Sequence, residues 1–228
     1  MSLSDDLKTE VAAIFREHWG EVTEGRVIPE PEKVPFGNRG VEFDATVLYA
    51  DLADSTGLVD QRLSKFAAEI YKTYLLCAGK IIKDAGGAIT AYDGDRIMAV
   101  FIGNRKSNSA TSAALKINYA RTAIIDTALV KQYSTTDYRL KHSIGIAAGK
   151  LLVTRVGVRG ANDLVWVGSA ANHAAKLTAE GSDFPIWITK PVYDVLDKDI
   201  KQQGMWEQRT WISMGNQLVY RTGWHQKF

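Results

Sequence analysis

Between residues 45 and 148 the apolar residues recur with two different periods, in the order strand, helix, hairpin, helix, strand. Few chain paths accept that order. The run Ala45-Thr46-Val47-Leu48-Tyr49-Ala50 is mostly apolar and β-favouring, and predicts a buried strand ending at Asp51. Over residues 61–84, Leu63, Phe66, Ile70, Tyr74, Cys77 and Ile81 share one helical face, and Gly86-Gly87 stops the helix. Residues 88–102 alternate about Asp93-Gly94, a dipeptide suited to a two-residue hairpin turn. A second helix is expected over 107–127, and then a strand pair, 140–148 and 151–156, folding back across Gly149-Lys150. This is the order of a split βαβ, a ferredoxin-like (βαββαβ) α+β sheet.

The flanks are additions to that sheet. Residues 5–19 carry Leu7, Val11, Ile14 and Phe15 at helical spacing, and residues 20–40 place Pro29, Pro31 and Pro35 among glycines and charges. An N-terminal helix and arm over 1–42 and a main domain over 43–228 are therefore expected. Beyond the sheet order come a short strand at 164–167, a helix at 169–180, a strand at 186–188, a helix at 191–196 and two closing strands.

With 46% hydrophobic and 24% charged residues a core is available without staples, and the single Cys77 permits no intramolecular disulfide. A net charge of +2, with basic residues scattered, gives no case for nucleic acid or an acidic membrane as a standing partner. The opening residues have no signal-peptide character, and no apolar run is long enough to span a bilayer, so the cytoplasm is the expected location.

Two aspartates carry the chemistry. Asp51 ends the first strand and Asp95 follows the hairpin tip, and a ferredoxin-like sheet sets those strands side by side. Two carboxylates so placed call for a cation between them, and hard oxygen ligands suit Mg²⁺ or Mn²⁺. Either aspartate alone could equally be a turn residue, as Asp93 is expected to be.

Four segments, in order, resemble the motifs of class III adenylate and guanylate cyclases: Val47-Leu48-Tyr49-Ala50-Asp51-Leu52-Ala53-Asp54-Ser55-Thr56, Tyr92-Asp93-Gly94-Asp95-Arg96, Ser143-Ile144-Gly145-Ile146, and Val165-Trp166-Val167-Gly168-Ser169 leading to Asn172 and Lys176. The resemblance implies a head-to-tail homodimer with shared active sites. Two metals would be bound by Asp51, Asp95 and the Leu52 carbonyl, helping a ribose 3′-hydroxyl to attack the α-phosphorus. Backbone amides of Ala53, Asp54, Ser55 and Thr56 would cradle phosphate oxygens. Asn172 would orient the ribose, acting from the partner subunit. Two positions depart from the pattern. Lys176 stands where the family has its transition-state arginine, and Met214 stands near its late triphosphate-binding lysine. Arg96 and Arg159 are candidate replacements for the missing charge, and His173 is expected to pack or cap.

The two base-reading positions of the purine cyclases hold Ala91 and Val165, which cannot hydrogen-bond a purine edge. Together with Tyr49 and Arg96, this resembles the bacterial pyrimidine cyclases of the Pycsar anti-phage system. The resemblance implies a UTP or CTP substrate, UTP favoured, and a cyclic product read by a separate effector protein. A purine-specific cyclase and a nucleotide-binding regulatory module without catalysis stay open as alternatives.

Overall fold

The computed structural model describes residues 2–228. The chain opens with helix α1 (Leu3–Arg16), a two-residue strand β1 (Thr23–Glu24) and a 3-10 turn at Pro31–Lys33. Strand β2 (Val41–Leu52) leads through helix α2 (Ser55–Gln61) into helix α3 (Ser64–Asp84), then the hairpin β3 (Ala88–Asp93) and β4 (Arg96–Phe101). Helix α4 (Lys106–Tyr119) continues through a π-helical stretch, Ala120–Ile125, into helix α5 (Asp126–Gln132). Strands β5 (His142–Val158) and β6 (Ala161–Val167), helix α6 (Ser169–Leu177), strand β7 (Ile186–Thr189), helix α7 (Lys190–Asp194) and strands β8 (Glu207–Trp211) and β9 (Gln217–Thr222) complete it.

The sheet order is β3-β4-β2-β5-β7-β9-β8, with β1 added beside β2 and β6 beside β5. Its β3-β4-β2-β5 portion is antiparallel throughout, as the ferredoxin-like order requires. The two faces of β2 divide by parity. Leu48, Ala50 and Leu52 join a core with α3 and α4 residues such as Tyr74, Ile82 and Ala113. Phe43, Ala45 and Val47 join a second core with Met98, Val100, Ala170 and Ala174, beneath α6. That division follows from the period of two in a strand.

Three expectations are corrected. Residues 140–148 and 151–156 do not fold back on each other; β5 runs unbroken through Gly149-Lys150, pairing with β2 from Leu52↔His142 to Val41↔Val153. The hairpin turn is Gly94-Asp95, one residue later than expected, because Asp93 pairs with Arg96. Gly94 takes φ 59°, a conformation glycine enters without steric cost. The long helix starts at Ser64, after an extended break at Arg62, so Leu63 is exposed instead of packed inward.

A buried polar cluster lies under the end of β5. His142 sits edge-on to Tyr74, and its Nε2 lies 3.2 Å from Asn118 Oδ1. The Asn118 amide donates to the carbonyls of Gly223 and Trp224, which orients its oxygen as acceptor and makes Nε2 the donor. Burial, helped by the charge of Arg121, pulls the His142 pKa down to about 3. The folded state therefore holds the ring neutral while the unfolded chain protonates near pH 6.5, so this stability is lost as pH falls from about 6.5 towards 3. At pH 5 the difference is about 2 kcal/mol. Substituting His142→Gln should flatten the pH dependence of unfolding free energy between pH 7 and 5 by about one proton, read from urea melts.

Candidate active site

Register assembles the site. On the α6 side of the sheet, Ser143, Asp51, Arg96 and Asp93 occupy successive positions on β5, β2, β4 and β3. The neighbouring rung holds Gly145, Tyr49, Met98 and Ala91. Asp95 is half-buried in the turn beyond. The sequence-predicted Tyr49, Asp51, Asp95 and Arg96 are thus drawn to one end of the sheet.

An ion pair dominates this end. Arg96 Nη2 donates to Asp51 Oδ2 at 2.8 Å, with the aspartate side chain only 17% exposed. Burial pushes the Asp51 carboxyl above its ordinary value and the charge of Asp95 adds to that, while Arg96, and to a lesser degree the nearby Thr178 hydroxyl, oppose it. Arg96 is itself held more firmly cationic, first by its bond to Asp51 and further by the charges of Asp95 and Asp93. Three carboxylates thus surround one guanidinium. Burial also raises the Tyr49 phenol, against the pull of Arg96.

These residues fit a divalent cation. The local charge is negative even with Arg96 counted, and Asp95 Oδ2 is buried with no hydrogen-bond partner. Two carboxylates do not make a closed cage, and among the described residues no group of three or more His, Cys, Asp or Glu could hold a metal. That suits an ion which takes its remaining ligands from phosphate and water.

Fewer amides are free at the expected phosphate cradle than the sequence suggests. The Ala53 amide donates to the Lys141 carbonyl at 3.0 Å and is therefore occupied. Asp54 adopts a left-handed conformation (φ 59°) as the N-cap of α2, which turns the chain so that the amides of Ser55 and Thr56 begin the helix without intrahelical partners.

Helix α6 lies across the sheet at Gly145, where an added Cβ would come within 2.0 Å of the Ala174 carbonyl oxygen. Asn172 and Lys176 are on its exposed face. Among the described residues neither bonds to Asp51, Asp95 or Arg96; Lys176 Nζ instead meets Met214 Sδ at 3.3 Å. His173 packs edge-on to Trp211, the packing role expected of it. Arg159 sits at the far tip of the β5–β6 hairpin, roughly 50 Å along the strand from Ser143. It cannot supply charge to this chain's own Asp51. Ala91 is separated from Tyr49 by the buried Met98, a span of two strand spacings, about 10 Å. A cavity of about 580 Å³ beside Ala91 is lined by Leu164 and Trp166, so Val165, between them, points to the other side of β6. Ala91 and Val165, expected to read the base together, do not converge within one chain.

Sequence reasoning missed Thr178, Met98 and the buried Ser143 beside Asp51. The period-two pattern of β4 and β5, once registered on β2, was the available signal for the last two.

The family model described as the adenylate and guanylate cyclase catalytic domain matches residues 42–220. A uridylate cyclase of Xanthomonas perforans is 46% identical, with 98% of each chain covered. One from Burkholderia cepacia is 47% identical, over 94% of this chain and 95% of the relative. Among solved structures, the guanylyl cyclase Cya2 superposes with a TM-score of 0.71 at 16% identity, covering 82% of this chain and 95% of that one. The adenylyl cyclase CyaB from P. aeruginosa gives 0.66 at 21%, covering 80% and 95%. The chain belongs to the adenylate and guanylate cyclase catalytic-domain family, the class III nucleotide cyclases. Among the described residues no helix is long and apolar enough to cross a membrane.

Gly145→Ala should lift α6 from the sheet, since the clash is with backbone and cannot be relieved by a rotamer change. A loss of about 1–3 kcal/mol in unfolding free energy is expected. A Gly145→Ala protein that melts in urea like the wild type would show the contact with the Ala174 carbonyl to be unimportant.

Proposed function

We propose that this chain closes a pyrimidine nucleoside triphosphate, UTP in preference to CTP, into the 3′,5′-cyclic monophosphate and pyrophosphate. It works in the cytoplasm as a second-messenger synthase of bacterial anti-phage defence, and a separate effector protein reads the cUMP. The observation that carries the base choice is that near-full-length relatives are named uridylate cyclases; the apolar Ala91 and Val165 agree with it, since neither side chain can pair a purine edge. A site that leaves purine edges without partners loses strongly against one built to pair them.

Asp51, Asp95 and the Leu52 carbonyl would hold Mn²⁺ or Mg²⁺, two per site, supplying Lewis acidity at the 3′-hydroxyl and charge neutralisation at the triphosphate. The 3′-oxygen bonds the α-phosphorus as the bond to the departing pyrophosphate breaks, and the hydroxyl proton passes to solvent water. Arg96 stands beside Asp51, where its guanidinium can turn to the triphosphate. The Ser55 and Thr56 amides face the same anion at a helix start. Tyr49 narrows the space for the base by its ring and offers a phenol that stays protonated, and so remains a donor, at neutral pH.

The exposure of Asn172 and Lys176, with no bond to their own chain's aspartates, supports a site completed by a second copy. Lys176 would stabilise charge at the α-phosphate as a point cation, without the bidentate fork of an arginine. Asp51→Asn and Lys176→Ala proteins should each be inactive, and mixing them should restore activity through heterodimers carrying one intact site. Mixtures that stay at background would count against a shared site.

Base choice is tested by kcat/KM for ATP, GTP, CTP and UTP at one Mn²⁺ concentration. UTP should lead, and Tyr49→Ala should lower its value about tenfold or more, the equivalent of one lost transition-state contact. A lead for ATP or GTP would make the chain a purine cyclase.

A further inference from the structure

Asp51 has a neighbour on each side along its own face of the sheet, and only one of them is bonded to it. Arg96, paired with it on β4, donates to its carboxylate at 2.8 Å. Ser143, paired with it on β5, does not. Ser143 is 3% exposed, and its Oγ is buried with no hydrogen-bond partner. A hydroxyl in that state has lost water and gained no bond in return, so alanine would serve the metal-free fold at least as well. Nearby Thr178 differs, because its hydroxyl proton already goes to the Ala175 carbonyl at 2.7 Å. The hydroxyls of Thr111 and Thr189 are also buried without partners, but Thr111 lies within α4 and Thr189 pairs with Val219. Of these three orphaned hydroxyls, Ser143 alone is paired across strands with a carboxylate.

Directly opposed residues of an antiparallel pair hold their Cβ atoms about 4.5–5.5 Å apart. Turns about the Cα–Cβ bonds of Ser143 and Asp51 close that gap to a hydrogen bond. What such a bond does depends on the charge of the donor. Arg96 and a divalent cation are both positive, so each weakens the hold of the other on a shared carboxylate. Arg96 therefore gives way as a cation settles on Asp51, and the carboxylate loses the donor that fixed its orientation. A serine hydroxyl is neutral and can orient the carboxylate without repelling the cation. Metal-ligating carboxylates are themselves held by hydrogen bonds of this kind, and losing one typically costs about 10–100-fold in affinity.

We propose that Ser143 is a positioning residue for Asp51, its hydroxyl replacing Arg96 as donor to this carboxylate when a divalent cation is bound. The inference rests on the assignment of Asp51 and Asp95 as metal ligands, and its test does not use turnover. Free Mn²⁺ is counted by electron paramagnetic resonance over the full chain without nucleotide, following the ion that wild type binds and Asp51→Asn does not. Ser143→Ala should raise the dissociation constant of that ion about tenfold or more. The urea midpoint of the metal-free Ser143→Ala protein should equal or exceed that of wild type. An unchanged Mn²⁺ affinity in Ser143→Ala overturns the proposal and leaves the metal assignment standing. A lower urea midpoint without metal also overturns it, since the hydroxyl would then be bonded before any cation arrives. If wild type and Asp51→Asn bind Mn²⁺ alike, Asp51 holds no cation and Ser143 has nothing to position.

Discussion

The molecule depends on the pairing of β2. All twelve of its residues are matched to β5, and six of them are also matched to β4 on the other side. Because side chains alternate along a strand, that register decides which residues meet the helices and which meet α6. A slip of one residue would turn Tyr49 and Asp51 into the apolar layer over Tyr74 and send Leu48 and Ala50 to the reactive side. The apolar requirement of two separate cores therefore fixes the placement of a polar site. Gly145 belongs to the same device: it lies opposite Tyr49, and its missing side chain is what lets α6 cross the sheet there.

Much of this was legible in the sequence because local pattern and tertiary pairing agree. The strand ending at Asp51, the hairpin, the two helices and their order could all be read from periodicity. Reading failed where a local signal was overruled from a distance. Gly149-Lys150 looks like a turn, but β2 supplies hydrogen-bonding partners along the whole segment, and Lys150 reaches Glu42 across the strands at 2.6 Å. Leu63 fits the apolar face of α3 by spacing, yet the chain breaks just before it and leaves it in solvent.

The candidate site divides the same way. Asp51 and Asp95 stand out as acids at strand and turn ends, which any reader of patterns would mark. Their surroundings are another matter. Arg96 is 45 positions from Asp51, and their contact exists only through the β2–β4 register. Thr178 lies near Asp51 in the 3-10 turn that prolongs α6, its hydroxyl donating to the Ala175 carbonyl at 2.7 Å. The Ala53 amide, offered by the sequence as a phosphate donor, is taken by Lys141 because β5 begins directly opposite. Lys176 beside Met214 was visible as two departures from a pattern, but their meeting at 3.3 Å was not.

The bond between Arg96 and Asp51 has a consequence for the life of the protein before it meets any substrate. A lone carboxylate at the buried end of a central strand would oppose folding, and many small metal-dependent domains remain unfolded until their ion arrives. Here the chain carries its own counter-ion, delivered by the neighbouring strand. Assembly of the sheet therefore does not wait on a cation at this end. The chain reaches its final shape on its own charges, and a stripped preparation should remain folded and ready for reloading.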